Sequence, residues 1–238
     1  MIDGAWIVDH LDVIFGRAIQ HLYLSTVAVA VGFVISFGLA VWSIRRRAVY
    51  GPIVGVAGIL YTIPSLALFP ILVGITGLSD LTAEVPLVLY SLLIFVRNIV
   101  AGFDGVPSEI LEAANGIGYT RRDRFWQVEV PLAIPLIVAG IRLASVSTIG
   151  LVTITGILGD RFGGLGFFIF EGNRHGFPTE LFTGGLASIL LAVLVDRLLV
   201  VAQRRLTPWT RADRGAAGPT PTVPLPTRPA GGPPFAVR

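Results

Sequence analysis

The chain has 238 residues, of which 53% are hydrophobic and only 14% are charged, whereas about a quarter of an ordinary soluble domain is charged. Its 18 basic residues are all arginine, and neither lysine nor cysteine occurs. These absences exclude a Walker A nucleotide site and Schiff-base catalysis, which need lysine, and thiol catalysis, disulfides and zinc–cysteine sites, which need cysteine.

Long apolar stretches with few or no charges predict about five membrane-spanning helices. Residues 22–44 carry no charge, and a helix of that length is about 35 Å long, enough to cross a hydrocarbon core of about 30 Å. Residues 48–79 are also uncharged but contain three prolines. We therefore expect a span that opens near Ile53, breaks at residues 62–65 and continues as a half-helix or a re-entrant segment. The remaining spans are predicted at residues 86–100, 131–158 and 181–201.

Arginines near the ends of these spans predict their orientation. One cluster follows the first span, another lies between the third and fourth, and a third follows the fifth, at residues 45–47, 121–124 and 204–214. With five crossings all three clusters fall on one side, which the positive-inside rule identifies as the cytoplasm. We therefore expect a multi-pass membrane protein with the N-terminus outside and the C-terminus inside. Topology explains the basic charge, so no nucleic-acid partner is expected.

The two ends of the chain differ from its middle. Residues 1–20 are expected to form an extracytoplasmic segment, and residues 21–206 a transmembrane domain. Residues 207–238 hold eight of the 16 prolines, mixed with glycine, alanine and threonine. Such a segment buries too little apolar surface to offset its ordering entropy, which predicts a disordered cytoplasmic tail. A proline-rich ligand for a cytoplasmic partner is the alternative.

The longest polar stretch between spans is the loop of residues 103–131, on the predicted cytoplasmic side. Ser108 is expected to cap a first helix, and Gly116 and Gly118 to end it. Thr120 has capping-box spacing for a second short helix, and Pro131 is expected to open the next span. The pattern predicts a helix-turn-helix at the membrane surface. It is either a solvated connector or a surface whose small residues let another protein approach closely.

The sequence of this loop resembles the EAA signature of binding-protein-dependent ABC importer permeases. In that signature EAA is followed by three residues and Gly, then by nine residues, Ile, one residue and Leu-Pro. The spacing is kept here by Glu112, Ala113, Ala114, Gly118, Val128, Val130 and Pro131, with valine in place of the family's Ile and Leu. The name EAA loop is used below for residues 103–131.

The resemblance implies a fold, a function, partners and a location, which would be the bacterial inner membrane. The fold would be that of type I ABC importer permeases, an all-α polytopic membrane protein with about five spans and a cytoplasmic coupling helix-turn-helix. The ATPase-coupling residues would be Glu112, Ala113, Ala114, Gly118 and Pro131. ATP and Mg²⁺ would be bound by a separate cytoplasmic ATPase, so this chain would need no cofactor. The other implied partners are a second permease subunit, identical or merely similar, and an extracytoplasmic substrate-binding protein.

Several segments are similar to the osmoprotectant branch of this family, whose members import glycine betaine, carnitine, choline or proline betaine. The similar segments are residues 62–68, 89–90, 97–98, 139–142 and 163–166. Residues 158–162 depart from the branch by carrying Asp160 and Arg161 on the predicted external side, where the binding protein would dock.

Polar residues within the spans are candidates for the translocation path. They are Tyr61, Thr62, Pro64, Ser65, Arg97, Asn98 and Arg142. Broken backbone at membrane depth is tolerated where it lines a cavity, and intramembrane charges usually face a bundle interior. The alternatives are a simple proline kink, and arginines that pair structurally or reach the headgroups.

Catalysis by this chain is not expected, because no metal-ligand spacing, carboxylate pair or Ser/His/Asp arrangement occurs. Two other functions stay open at this point. One is an ABC permease for methionine or another amino acid, and the other is a secondary carrier or channel that works without ATP.

Overall fold

The computed structural model describes residues 2–208, which form ten α-helices and no β-strand. The helices are α1 (Gly4–Asp9), α2 (Leu11–Arg45), α3 (Tyr50–Thr62), α4 (Ser65–Thr76), α5 (Asp80–Asp104), α6 (Ser108–Gly116), α7 (Arg121–Arg124), α8 (Val130–Val152), α9 (Gly166–His175) and α10 (Pro178–Leu206). The segments Arg47–Val49 and Ile154–Leu158 are 3₁₀-helical, and a π-helical turn, Phe125–Glu129, joins α7 to α8. Most of the proline-rich tail, residues 209–238, for which disorder is predicted, lies outside the described residues.

Four helical segments within residues 2–208 are long and apolar enough to cross a membrane, namely Leu11–Arg45, Asp80–Asp104, Arg121–Leu158 and Pro178–Leu206. A fifth is counted if Arg47–Thr62 and Ser65–Thr76, which are bent by 93° relative to each other, form one broken span. The expected all-α architecture with about five spans is therefore confirmed, and so is the break predicted at residues 62–65.

The first helix is longer than its uncharged stretch. It begins at Leu11 rather than near residue 22, because Asp12 and Arg17 are compatible with a helix that starts outside the hydrocarbon core. The short helix α1 precedes it, and the Asp3 carboxylate accepts hydrogen bonds from the backbone N–H groups of Ala5 and Trp6. Absence of charge thus marked the membrane-embedded part of the helix, not its ends.

Helices α2, α5 and α8 form the centre of the bundle. Their shared core contains Ala40 from α2, Phe95 and Ile99 from α5, and Ala133 and Ile137 from α8. Glycines permit the close approach that helix association in lipid requires. A methyl group on Gly32 of α2 would overlap Ser91 of α5, and one on Gly140 of α8 would lie 2.6 Å from Cβ of Asn98.

At the end of the molecule that carries the N-terminus, polar contacts join α2 to α8 and to the segment before α9. His21 of α2 is fully buried; its Nε2 lies 2.9 Å from the Ile149 carbonyl, and its Nδ1 accepts from the Leu165 N–H at 3.3 Å. Asp160, one of the two charges that depart from the osmoprotectant pattern, is paired with Arg17 of α2. The unusual charge is therefore neutralised within the chain.

The helix α9 lies at this same end and packs against α10. Gly172 of α9 allows the Leu181 backbone of α10 to approach, and Gly184 of α10 lies against Phe168. Burial raises the pKa of the Glu171 carboxyl on α9, but hydrogen bonds from Arg174 and His175 outweigh this effect and hold that pKa below its ordinary value. This helix has no counterpart among the predicted spans, because it is only ten residues long.

Candidate functional site

The EAA loop begins with α6. Ser108 is its first helical residue rather than its cap, because Pro107 occupies the capping position and no side chain there accepts a hydrogen bond. The predicted Ser108 cap is therefore wrong. The helix ends at Gly116, and Gly118 adopts a φ of +93°, which an L side chain rarely adopts. The predicted stop at these glycines is confirmed.

The second arm of the loop is continuous with the following span. Thr120 caps α7 as predicted, and its Oγ1 accepts a hydrogen bond from the Asp123 N–H at 3.2 Å. This arm does not end before Pro131, however, because the π-helical turn carries it directly into α8. The proline lies in the first turn of α8, next to the π-helical turn where regular i→i−4 hydrogen bonding is already interrupted.

Arg124 ties the two arms of the loop together. Its Nη1 donates to Asn115 Oδ1 of α6 at 2.9 Å, and its Nε donates to Glu129 Oε1, just before α8, at 2.8 Å. The side chains of Arg124 and Glu129 are 26% and 13% exposed, so the ion pair is partly shielded from water. At the base of the loop the Phe103 and Phe125 rings stack with centroids 5.4 Å apart. These contacts join the two arms of the loop to each other and to the end of α5.

The structure brings the coupling candidates into one loop but gives them different surroundings. Glu112, Ala113 and Gly118 are exposed at its tip, whereas Ala114 is buried and its carbonyl accepts the Tyr119 N–H. Pro131 lies at the foot of α8, away from the tip. Ile117, next to Gly118, has a side chain that is 77% exposed, which is unusual for a large apolar residue and suits a surface that another protein covers.

The arginine clusters meet at the end of the molecule that bears this loop. Arg45 lines one cavity together with Arg121 and Arg122, and Arg47 forms an ion pair with Asp104 at the end of α5. The last turns of α10 are at the same end, because Gln203 donates to the Pro135 carbonyl of α8 at 3.2 Å. The clustering on one side that the span count predicts is thus present in the fold.

A second candidate site lies where α3 breaks into α4. Ile63 and Pro64 are both extended, with ψ angles of 127° and 122°. The Ile63 carbonyl accepts no bond from α4, and its partner is the hydroxyl group of Tyr90 on α5. The Thr62 hydroxyl donates to the Ile59 carbonyl at 2.7 Å. Side chains therefore satisfy the backbone at the break, as non-helical backbone at membrane depth requires.

A cavity of about 350 Å³ opens at this break. Its lining consists of Tyr61, Thr62, Ile63, Pro64, Ser65, Tyr90, Ser147 and Leu151. The Tyr61 and Tyr90 rings meet edge to face with centroids 5.8 Å apart. The lining carries hydroxyl groups and aromatic rings but no charged side chain, so the cavity suits a small polar or cationic solute held weakly. The name broken-helix cavity is used below for this space.

Three of the seven path candidates lie elsewhere. Arg97 is exposed on α5 and has no hydrogen-bond or ion-pair partner among residues 2–208. Asn98 donates to the Ile94 carbonyl at 2.8 Å and packs against Gly140. Arg142 donates to Asp196 of α10 at 2.8 and 3.1 Å. Asn98 and Arg142 thus lie outside the broken-helix cavity lining, and Arg142 together with Asp196 borders a separate cavity of about 890 Å³.

Some contacts could not be predicted from the sequence. The ion pair of Arg124 with Glu129 spans five residues, a separation that a regular helix does not bring together and that the π-helical turn makes possible. Ser147 of α8 lines the same cavity as Tyr90 only because of tertiary packing. A signal did exist for Tyr90, which stands in one of the segments similar to the osmoprotectant branch. No group of His, Asp and Glu side chains suited to a metal ion occurs within residues 2–208.

Comparison with known proteins places this geometry in context. Residues 19–211 match the family described as binding-protein-dependent transport system inner membrane component. The glycine betaine/carnitine/choline transport system permease protein OpuCB of Bacillus subtilis is 36% identical over 189 residues, which are 79% of this chain and 86% of that protein. The osmoprotectant import permease protein OsmW of Salmonella typhimurium is 36% identical over 208 residues, covering 85% and 96% of the two chains.

Solved structures share the fold. A chain of the MetNI methionine ABC transporter in an inward-facing conformation superposes with a TM-score of 0.74 at 20% identity, over 84% of this chain and 98% of that one. A chain of an amino acid ABC transporter gives a TM-score of 0.70 at 16% identity, over 86% and 99%. At these identities the likeness concerns the fold alone.

Proposed function

This chain belongs to the family of binding-protein-dependent transport system inner membrane components, as the permease subunit of an ABC importer, and we propose that it carries a compatible solute with a quaternary ammonium group. Glycine betaine, choline, carnitine and proline betaine are the candidates. The observation that supports this substrate class most directly is the 36% identity to relatives named for glycine betaine, carnitine and choline transport.

The broken-helix cavity agrees with this proposal. Two tyrosine rings and several hydroxyl groups offer a trimethylammonium group cation–π and dipolar contacts without a fixed counter-charge. A carboxylate there would bind the cation tightly and slow its release. A permease that receives its solute from a binding protein needs only a weak passage site. Tyr61, Thr62, Pro64 and Ser65 are therefore proposed to line the path, together with Tyr90 and Ser147.

Coupling to ATP hydrolysis is proposed to run through the EAA loop. Glu112, Ala113 and Gly118 at the exposed tip would dock on a separate ATPase subunit, which binds ATP and Mg²⁺, while this chain has no catalytic role. Movement of α6 is passed by Arg124 to the foot of α8. From there to Ser147 the helix runs for about 27 Å as a rigid element. Docking at the tip would thereby change access to the broken-helix cavity.

The assembly and orientation complete the proposal. A second permease subunit, identical or similar, would pack beside this one, and an external binding protein would dock at the end that bears α9. The arginine-rich end would face the cytoplasm and the N-terminus the exterior. Because the chain lacks cysteine, single cysteines at Asp9 and Arg205 report orientation directly. An impermeant thiol reagent should label the first from outside and the second only after the membrane is opened; the reverse pattern would contradict the orientation.

The substrate proposal is tested by uptake in cells that lack the gene and in complemented cells. Labelled betaine should enter only the complemented cells, and unlabelled choline, carnitine and proline betaine should compete, whereas methionine should not. Competition by methionine alone would make the chain an amino-acid permease. Uptake that persists without ATP hydrolysis would make it a carrier.

The coupling proposal is tested by two substitutions with matched controls. Glu112→Lys and Gly118→Asp should abolish uptake while leaving the protein in the membrane. Glu109→Lys changes the same helix outside the signature, and Gly116→Asp adds the same side chain where φ is not positive and space is open. Both controls should retain most uptake. Equal loss in the controls would show that the signature positions have no special role.

A further inference from the structure

A cavity of about 770 Å³ lies beside the EAA loop, between the last turns of α2 and the segment that leads into α8. It is lined by Val41, Ile44, Arg45, Arg121, Arg122, Arg124, Phe125, Trp126 and Glu129. It is larger than the broken-helix cavity and separate from it, because the two linings share no residue. The proposed transport mechanism uses Arg124 and Glu129 but assigns no role to the cavity itself.

The charge of this lining is not balanced within the described chain. Four arginines face a single carboxylate, that of Glu129, which is already bound to Arg124. Arg45, Arg121 and Arg122 are exposed and form no hydrogen bond or ion pair through their side chains with residues 2–208. Three unpaired guanidinium groups around one cavity create a strongly positive site that favours an anion with several oxygen acceptors.

The remaining wall is apolar. Val41 and Ile44 belong to the membrane-spanning part of α2, and Phe125 and Trp126 lie on the π-helical turn. The Trp126 side chain is 55% exposed, as is common for tryptophan at the level of lipid headgroups. One cavity therefore presents arginines at its polar edge and hydrocarbon at its membrane edge. A free anion would use only the first surface, whereas an amphiphile uses both.

We propose that this cavity binds an anionic phospholipid of the cytoplasmic leaflet, with the phosphodiester group between Arg45 and Arg122 and the first part of an acyl chain along Val41 and Ile44. The lipid bridges the end of α2 to the EAA loop. Its headgroup charge thereby stabilises the position of the loop relative to the bundle, and the composition of the membrane becomes a determinant of that position.

The test uses the complete transporter, purified with its ATPase and reconstituted in phosphatidylcholine vesicles. A diazirine group on an acyl chain is carried either by phosphatidylglycerol or by phosphatidylcholine, and labelled peptides are mapped after illumination. We expect phosphatidylglycerol to label residues 41–45 and 121–129 several-fold more than phosphatidylcholine. In the variant Arg45→Gln/Arg122→Gln this several-fold preference should disappear, so that the two lipids label the cavity about equally, because the guanidinium groups that attract the anionic headgroup are gone.

Two further variants serve as matched controls. Arg46→Gln/Arg205→Gln removes two exposed arginines from the same end of the molecule but outside the cavity, and it should keep the preference. Arg45→Lys/Arg122→Lys keeps both charges and should retain most of it. Copurification of the ATPase with every variant verifies assembly.

Four outcomes would overturn the proposal. The first is equal labelling of the cavity by both lipids, and the second is a preference that survives Arg45→Gln/Arg122→Gln. The third is suppression of the labelling by added inorganic phosphate, which would make the cavity a site for a free anion. The fourth is burial of the cavity under the ATPase, seen as its protection from both lipids in the assembled transporter.

Discussion

Replacement of Arg124 by glutamine should uncouple the EAA loop from α8. Arg124 on the second arm contacts Asn115 of α6 and, within its own arm, Glu129 just before α8. A charge-assisted hydrogen bond contributes about 1.5–3 kcal/mol when shielded, and an exposed ion pair contributes only about 0.2–1 kcal/mol. With side-chain exposures of 26% and 13%, the bond to Glu129 falls between these ranges, at about 1–2 kcal/mol.

The bond to Asn115 joins α6 to the second arm and contributes about 1 kcal/mol, while the bond to Glu129 holds the Arg124 side chain in place within that arm. Loss of about 1 kcal/mol of coupling free energy corresponds to a factor of about five in the response of the bundle to docking. The assay is solute uptake and ATP hydrolysis by the reconstituted transporter, measured together. In Arg124→Gln we expect uptake to fall about fivefold and more than hydrolysis does, so that more ATP is consumed per solute.

The controls separate this mechanism from a general loss of charge. Arg205→Gln removes an exposed arginine at the same end of the molecule and should leave the ratio unchanged. Arg124→Lys should be intermediate, since one ammonium group cannot reach both partners in the guanidinium geometry. In a double-mutant cycle, Glu129→Gln should add little once Arg124 is replaced. Normal uptake by Arg124→Gln, or additive effects of the two replacements, would refute the linkage.

Three further predictions concern stability. Tyr90→Phe should lower the free energy of unfolding by about 1–2 kcal/mol, because it leaves the Ile63 carbonyl unpaired. The thermal midpoint in detergent measures this loss. Tyr61→Phe is the control and should change the midpoint less, because the Tyr61 hydroxyl has no partner among residues 2–208. Gly166→Ala should prevent folding, since its methyl group would overlap the Thr153 backbone, whereas Gly185→Ala, which faces open space, should express normally; comparable yields would contradict the packing. Finally, because the pKa of Glu171 is depressed in the folded chain, its contribution to stability is present near neutral pH and lost as the pH falls through that value. Acidification should therefore lower the thermal midpoint of the parent protein more than that of Glu171→Gln, and parallel pH profiles would contradict this.

Local sequence signals predicted the features that local chemistry decides. Pro64 has no N–H and restricts the residue before it, so the break between α3 and α4 follows from the sequence alone. The glycine stop after α6 and the Thr120 cap are of the same kind. The prediction that Ser108 caps α6 was wrong, because the neighbouring Pro107 is also compatible with the capping position and occupies it.

Long-range contacts decided the rest. A charge within a span is costly, so Arg142 was expected to need a partner, but that partner, Asp196, lies 54 positions away on α10, and no periodicity pairs the two. Likewise α9 is too short to produce a span signal, and it is positioned by contacts with α10 and by the buried His21. A sequence can show that an intramembrane charge needs a partner without showing which residue supplies it.

The exclusive use of arginine has a structural reason at some positions and none at others. Arg17, Arg124 and Arg142 each donate from different nitrogens to two different residues, which a lysine ammonium group at the end of a flexible chain reproduces poorly. Arg46 and Arg205 are exposed without a side-chain partner among residues 2–208, and nothing there distinguishes arginine from lysine. If the guanidinium geometry is the reason at the first group, Lys replacements should impair those three positions while being neutral at Arg46 and Arg205. The absence of lysine would then be a functional constraint only where one arginine joins two elements.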